Sequence, residues 1–340
     1  MTTLTMELGK NSYPIVIGKG LLARASEFFN LSRNVFIVTD DGVPNKYSET
    51  IKLLCKNATI KTVKAGEGSK SICVLEELLL AMSDFELGRG DCVVAVGGGV
   101  VGDLAGFASS IYMRGIDFYN VPTTLLSQVD SSIGGKTAVN LGKVKNSVGS
   151  FKQPKAVIVD TDTLSTLPKR HWQSGICEAV KMAATSNKAL FEKFETLSED
   201  ELYNNIEEIV TEALKIKKSV VEIDAEEKGL RKILNFGHTY GHAVESAEEL
   251  KGLYHGECVA IGMLPVSSES AGKRIKAVLE KLGLPTGYDG DKEYALSFIS
   301  HDKKKTAKGI SVVFCNEIGS YEMRDISLDE FKKIVINHSN

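Results

Sequence analysis

Little in this sequence would staple, anchor or strongly charge the chain. Six cysteines (Cys55, Cys73, Cys92, Cys177, Cys258 and Cys315) lie far apart, with no CxxC or other paired spacing. That excludes a disulfide framework and a thiolate zinc site, and leaves them as reduced core residues. No segment reaches the roughly 18 apolar residues of a membrane span. Met1-Thr2-Thr3-Leu4-Thr5-Met6-Glu7 has neither the basic flank nor the apolar run of a signal peptide, so a cytoplasmic location is expected. A net charge of −3 argues against nucleic acid or an anionic membrane as the main partner. Internal repeats, low-complexity tracts and Gly/Ser linkers are absent as well.

What is present is a chain of 340 residues with 43% hydrophobic content, ample for a packed interior and long enough that two domains are the default. Val35–Asp40 and Cys92–Gly99 are short apolar runs ending in polar or glycine residues, which read as buried parallel strands. Between them Ile72–Phe85 has helical spacing, with Ser71 available near its start. Strand, helix and strand alternate as in an α/β domain, which Ala156–Asp160 closes. After Pro168 the texture turns helical, over Gly175–Ala184, Ser198–Glu222, Leu234–Leu250 and Val259–Ala271, until a β-branched run at Ile310–Phe314. The expected division is 1–165, an α/β domain with a parallel sheet, and 166–340, a mainly helical domain, packed across a cleft.

Leu234-Asn235-Phe236-Gly237-His238-Thr239-Tyr240-Gly241-His242-Ala243-Val244-Glu245, followed by His255-Gly256-Glu257, holds three of the six histidines. His238 and His242 stand i, i+4, on one side of a helix. Two imidazoles and a carboxylate suit a catalytic divalent metal, zinc first. Gly237 and Gly241 are costly in a helix unless something approaches the backbone closely. Glu178, among apolar neighbours and three residues before Lys181, needs a partner that a metal would supply. Gly97-Gly98-Gly99-Val100-Val101-Gly102-Asp103 ends a strand and opens a helix at Val101–Ser110, which suits a phosphate although it departs from GxGxxG. The hydroxyl-rich stretch from Pro122 to Lys136, then Lys145-Asn146, offers donors and cations to phosphate oxygens without true P-loop spacing.

Taken in order, these motifs resemble the 3-dehydroquinate synthase family over nearly the whole chain. The resemblance runs through Gly66-Glu67-Gly68-Ser69-Lys70, GGGVVGDLAGF from Gly97, Arg114-Gly115, PTTLLSQVDSSIGGKTAVN from Pro122, Lys145-Asn146, Gln153-Pro154 and the Glu178 helix. It continues through LNFGHTYGHAVE, HGECVAIGM from His255, LGLP from Leu282 and Asp302-Lys303-Lys304. It implies an NAD-binding α/β domain joined to a helical metal-binding domain, with the active site between them. The metal ligands it implies are Glu178, His238 and His255, which moves His242 to the substrate.

NAD would meet Glu67, Gly68, Ser69, Lys70, Gly99, Val100, Val101, Gly102, Asp103, Thr123, Thr124, Thr163, Leu164, Ser165 and Thr166, with Lys136 and Lys145 near cofactor and substrate. By the same resemblance, Lys217, Arg231 and Asn235 face the substrate carboxylate, while Lys136, Asn146, His242 and either Lys303 or Lys304 face its phosphate. Lys181 would bond substrate hydroxyls, and Asp130 would hold the polar chain in place. Arg114 would reach a neighbouring subunit's site, which implies a homodimer. The implied reaction converts 3-deoxy-D-arabino-heptulosonate 7-phosphate to 3-dehydroquinate and phosphate, with NAD and zinc or cobalt. Departures from the family pattern are Ala179, Val180 and Met182 beside the ligand Glu178, Cys258 where alanine is usual, and His171-Trp172 in place of an acidic residue. Other sugar phosphate cyclases and a metal-dependent polyol dehydrogenase are the competing readings.

Overall fold

The computed structural model describes residues 1–142, 144–248, 252–302 and 309–338. It divides into two compact units, Met1–Pro168 and Lys169–Asn340. The N-terminal unit carries strands β1 (Thr2–Met6), β2 (Tyr13–Gly18), β3 (Asn34–Asp40), β4 (Asn57–Val63), β5 (Cys92–Gly97), β6 (Asp117–Pro122), β7 (Lys136–Leu141), β8 (Val144–Phe151) and β9 (Ala156–Asp160). Helices α1 (Asn45–Leu53), α2 (Ile72–Asp84) and α3 (Gly99–Ile111) lie between them.

Seven strands form one sheet in the order β1-β2-β9-β6-β5-β3-β4, while β7 and β8 pair as a separate antiparallel hairpin. Every ladder of the large sheet is parallel except β1 with β2, so the sheet is mixed at that edge. Val35 and Ile37 pack on one face and Phe36 and Val38 on the other, each side being a buried cluster. Burial on both faces is why β3 and β5 read as continuous apolar runs. Edge strand β4 (NATIKTV) is largely half-exposed and the hairpin strand β8 (VKNSVGSF) alternates half-buried with exposed, so neither carries such a run.

Pairing puts Gly97 opposite Pro122, and Thr123 N–H donates to Gly97 O at 2.9 Å. The glycine run and the Thr123-Thr124 turn therefore leave the sheet side by side at the carboxyl ends of β5 and β6, where open α/β sheets place ligands. Ser71 caps α2 by accepting from Val74 N–H. Helix α3 begins at Gly99, two residues before the expected start.

The C-terminal unit carries α4 (Lys169–Ser186), α5 (Lys188–Thr196), α6 (Glu199–Asn204), α7 (Ile206–Ile223), α8 (His238–Ala247), α9 (His255–Met263), α10 (Glu269–Lys281) and α11 (Lys292–Asp302). A hairpin of β10 (Ile310–Phe314) and β11 (Glu322–Ile326) and a last helix α12 (Leu328–Asn337) complete it. Three expected helices are corrected. The one over 198–222 breaks at Asn205, which leaves helical geometry (φ −98°, ψ 13°), after Ser198 and Glu201 close a capping box on α6. The one over 234–250 starts only at His238, because Gly237 is left-handed (φ 77°) and a 3-10 turn, Leu230–Asn235, precedes it. The one over 259–271 is two helices, since Ser267 and Ser268 are extended and Ser268 caps α10. Among the described residues no helix is long and apolar enough to cross a membrane.

Candidate active site

In the N-terminal unit, no side chain caps α3 at Gly98, so the helix's first N–H groups keep their capacity to bind an anion. A Cβ on Gly99 would lie 2.9 Å from Ser131 Oγ, and one on Gly98 3.0 Å from Thr124 Cγ2. Any larger residue would push the glycine turn off the hydroxyl-rich stretch. Asp130 sits on a single π-helical turn, Ser127–Ser131, a distortion found often at functional sites.

Lys70, almost fully buried, donates to Asp103 Oδ2 on α3 at 2.6 Å and to Asn146 Oδ1 at 2.5 Å, and lies 3.8 Å from Glu67 Oε1. Gly68 completes the 3-10 turn that carries Glu67 and Ser69. Lys136 is exposed at the start of β7, and Lys145 and Asn146 lie on β8, with Asn146 in the left-handed region (φ 52°). Thr163 is spent on its own turn: its hydroxyl donates to Asp160 O at 2.7 Å and accepts from Gln128 Nε2 at 3.0 Å. Leu164 is core, whereas Ser165 is exposed and Thr166 hydroxyl lies 2.9 Å from that of Tyr47.

In the C-terminal unit, three helices converge by glycine. A Cβ on Gly262 of α9 would fall 1.9 Å from Gly237 O, one on Gly241 2.8 Å from Cys258 O, and one on Gly256 2.1 Å from Ser174 O of α4. The backbone that approaches Gly241 is thus a neighbouring helix. This packing sets His238 and His255, each the first residue of its helix, beside Glu178 of α4. Glu178 Oε1 lies 3.8 Å from His238 Nε2 and 3.5 Å from His255 Nε2, and Lys181 Nζ is 2.5 Å from Oε2. Glu178 is wholly buried, and neither carboxylate oxygen meets hydrogen-bond geometry with any described residue. A divalent cation would complete such a donor set of one carboxylate and two imidazoles. His242 belongs to the same cluster, since one ligand nitrogen from each of His238, His242 and His255 falls within 4.8 Å of the others.

Electrostatics prepare these ligands unequally. Burial works against ionised Glu178, but the Lys181 ammonium, helped by the neighbouring imidazoles, overcomes it and holds the carboxyl well below its usual range. Burial, then Lys181, keeps His238 neutral. His238 Nδ1 lies 3.1 Å from Phe236 O, a donation that leaves Nε2 as the ligating nitrogen. Burial also disfavours charged His255, yet the Glu178 and Glu245 carboxylates raise it to about 10.

Lys217 and Arg231 are buried in the same unit. Arg231 Nη1 donates to Ala225 O at 2.7 Å, and Asn235 Nδ2 donates to Glu227 Oε1 at 3.1 Å. Arg114 is exposed, with Met113 and Arg114 both at positive φ (48° and 69°). Lys303 and Lys304 lie outside the described residues.

The 3-dehydroquinate synthase N-terminal model matches residues 60–174 and the C-terminal model residues 175–305. The chain belongs to the 3-dehydroquinate synthase family. A 3-dehydroquinate synthase from Clostridium acetobutylicum is 40% identical, over 98% of this chain and 99% of its own. One from Enterococcus faecalis is 41% identical, over 97% of each. Among solved structures, a 2-deoxy-scyllo-inosose synthase complexed with carbaglucose-6-phosphate, NAD+ and Co2+ superposes with a TM-score of 0.89 at 26% identity, over 98% of this chain and 99% of that one. A 2-epi-5-epi-valiolone synthase from Streptomyces hygroscopicus with NAD+ and Zn2+ bound gives 0.85 at 25% identity, over 99% and 98%.

Set within that family, the site contains a carboxylate that the sequence motifs do not single out. Glu245 Oε2 stands 3.6 Å from His255 Nδ1, behind the ligand. It falls three residues after His242, one helical turn along, and that spacing was the available signal.

Proposed function

We propose that this chain converts 3-deoxy-D-arabino-heptulosonate 7-phosphate to 3-dehydroquinate and phosphate, a net carbon–oxygen lyase reaction. The observation that carries the reading is the buried Glu178 carboxylate, which meets Lys181 through Oε2 and turns Oε1 toward His238 and His255, in a chain of this family. Those three residues would hold a divalent zinc or cobalt ion. The uncapped start of α3, with Glu67, Lys70, Asp103, Thr123 and Thr124, would hold NAD, whose fit is supported by the close glycine packing at Gly98 and Gly99. When bound, NAD supplies a hydride acceptor for C5 that returns the hydride within the same turnover, and the metal polarises the substrate's hydroxyl oxygens.

The chain's own residues bind and orient. Arg231, with Lys217 and Asn235, receives the carboxylate; burial keeps water from competing for that ion pair. Lys136, Asn146 and His242 receive the phosphate. Lys181 donates to substrate hydroxyls, and Asp130 orients the polar chain beside it. A ketone at C5 would make the C6 proton acidic; that proton would pass to a phosphate oxygen as the C7–O bond breaks, so that phosphate leaves and a C6–C7 double bond forms. With C5 returned to the alcohol level, ring opening would turn that double bond into the enolate that closes onto the C2 ketone. Free thiols at all six cysteines suit a reducing cytoplasm, and exposed Arg114 on its positive-φ turn suits a homodimer in which it serves the neighbouring subunit.

The test is phosphate release from three candidates: the heptulosonate phosphate, sedoheptulose 7-phosphate and glucose 6-phosphate. Only the first carries a carboxylate, and only it should turn over. Turnover of either of the other two in its place would assign the chain to another branch of the cyclases.

A further inference from the structure

Asn140, on β7, touches three of the groups assigned above to cofactor and substrate. Its Nδ2 donates to Glu67 Oε1 at 2.9 Å, and its Oδ1 accepts from Asn146 N–H at 2.8 Å. Its own N–H donates to Lys70 O at 2.8 Å. Lys70 closes the ring through Asn146 Oδ1 and anchors it to Asp103. Glu67, Lys70, Asn146 and Asn140 thus form one cycle of hydrogen bonds spanning the turn after β4 and the hairpin β7–β8.

We infer that Asn140 is a positioning residue that fixes the Glu67 carboxylate on the cofactor side and the left-handed backbone of Asn146 on the substrate side. The chemistry requires an amide. Glu67 needs a donor and the Asn146 N–H needs an acceptor, and one uncharged carboxamide supplies both. Asparagine at 146 already tolerates φ 52°, and the Asn140 carbonyl oxygen locks that conformation. Without it the Asn146 side chain that accepts from Lys70 loses its backbone anchor. The inference rests on the proposed NAD and substrate contacts of Glu67, Lys70 and Asn146.

The test is a charge-swap cycle read by calorimetric titration with NAD, with circular dichroism confirming the fold of each variant. Asn140→Asp keeps the acceptor for Asn146 but sets a carboxylate against Glu67, and should weaken NAD by about tenfold. In a Glu67→Gln background the same change should cost less than about twofold, because the substituted amide can donate to the introduced carboxylate. At saturating NAD, Asn140→Asp should leave KM for the heptulosonate phosphate unchanged, whereas Asn140→Ala should raise it. An equal cost in both backgrounds, or none in either, overturns the inference while leaving the function intact. If the unmodified chain binds no NAD, the cofactor reading falls and takes this inference with it. Should Asn140→Ala fail to fold, the near-isosteric pair Asn140→Asp and Glu67→Gln still decides.

Discussion

Lys70 and Glu178 are both buried charges, one in each unit, and their surroundings treat them differently. Lys70 is met by Asp103 and Asn146 at hydrogen-bonding distance. Glu178 meets the Lys181 ammonium through Oε2 at 2.5 Å, while its Oε1 faces the His255 and His238 imidazoles at 3.5 and 3.8 Å, outside hydrogen-bond geometry. A closed polar network presents a fixed surface to a ligand that arrives later. One left open on a single side, as at Glu178 Oε1, keeps room for a divalent cation between carboxylate and imidazoles. Glycine follows the same division: before α3 it leaves backbone N–H groups uncapped, and in α8 and α9 it lets helices touch so that ligands meet.

The largest expected effect breaks the second use of glycine. Gly262→Ala places a Cβ 1.9 Å from Gly237 O, a backbone clash that no rotamer relieves, and should cost about 3 kcal/mol or more. Gly98→Ala meets only the Thr124 side chain, its methyl at 3.0 Å, and should fold with nearly native stability while binding NAD more weakly. Melting curves with NAD titrations separate the two. Equal thermal losses would mean that both glycines serve packing alone.

Next comes the metal. Glu178→Gln, His238→Ala and His255→Ala should each lower zinc affinity by about 10²-fold or more, with NAD affinity unchanged. His242→Ala should keep its metal and lose turnover. Its nitrogen lies within reach of the same ion, so metal analysis of this variant decides between substrate contact and third imidazole ligand.

Much of this was legible in the sequence and some was not. Strands β3, β5 and β9 announce themselves because both faces are buried. Strands β4 and β8 do not, because exposure lets polar residues alternate through them. His238 and His242 are visible as an i, i+4 pair, but the helix start at His238 depends on Gly237 turning left-handed against α9. That is a tertiary contact. The contacts of Asn140 and Glu245 were hidden for the same reason, since their partners lie on other elements.

A smaller effect sharpens the comparison of ligands. Glu178 is held ionised and His238 neutral, whereas His255 is raised to about 10 by Glu178 and Glu245 against the pull of burial. In the metal-free chain, stability gained from charged His255 is complete below its ordinary value of about 6.5 and is lost as pH climbs through about 10. Metal must displace that proton. Calorimetry at neutral pH in buffers of differing ionisation enthalpy should therefore show about one proton released per metal, with affinity rising as pH rises. Release of none would mean that His255 is already neutral.

The most direct test of internal redox catalysis is a paired time course of phosphate and NADH absorbance, with catalytic enzyme and limiting NAD. Many equivalents of phosphate per NAD, with no accumulation of NADH, is the predicted result. NADH rising in step with substrate loss while no phosphate appears would contradict it and make the chain a dehydrogenase.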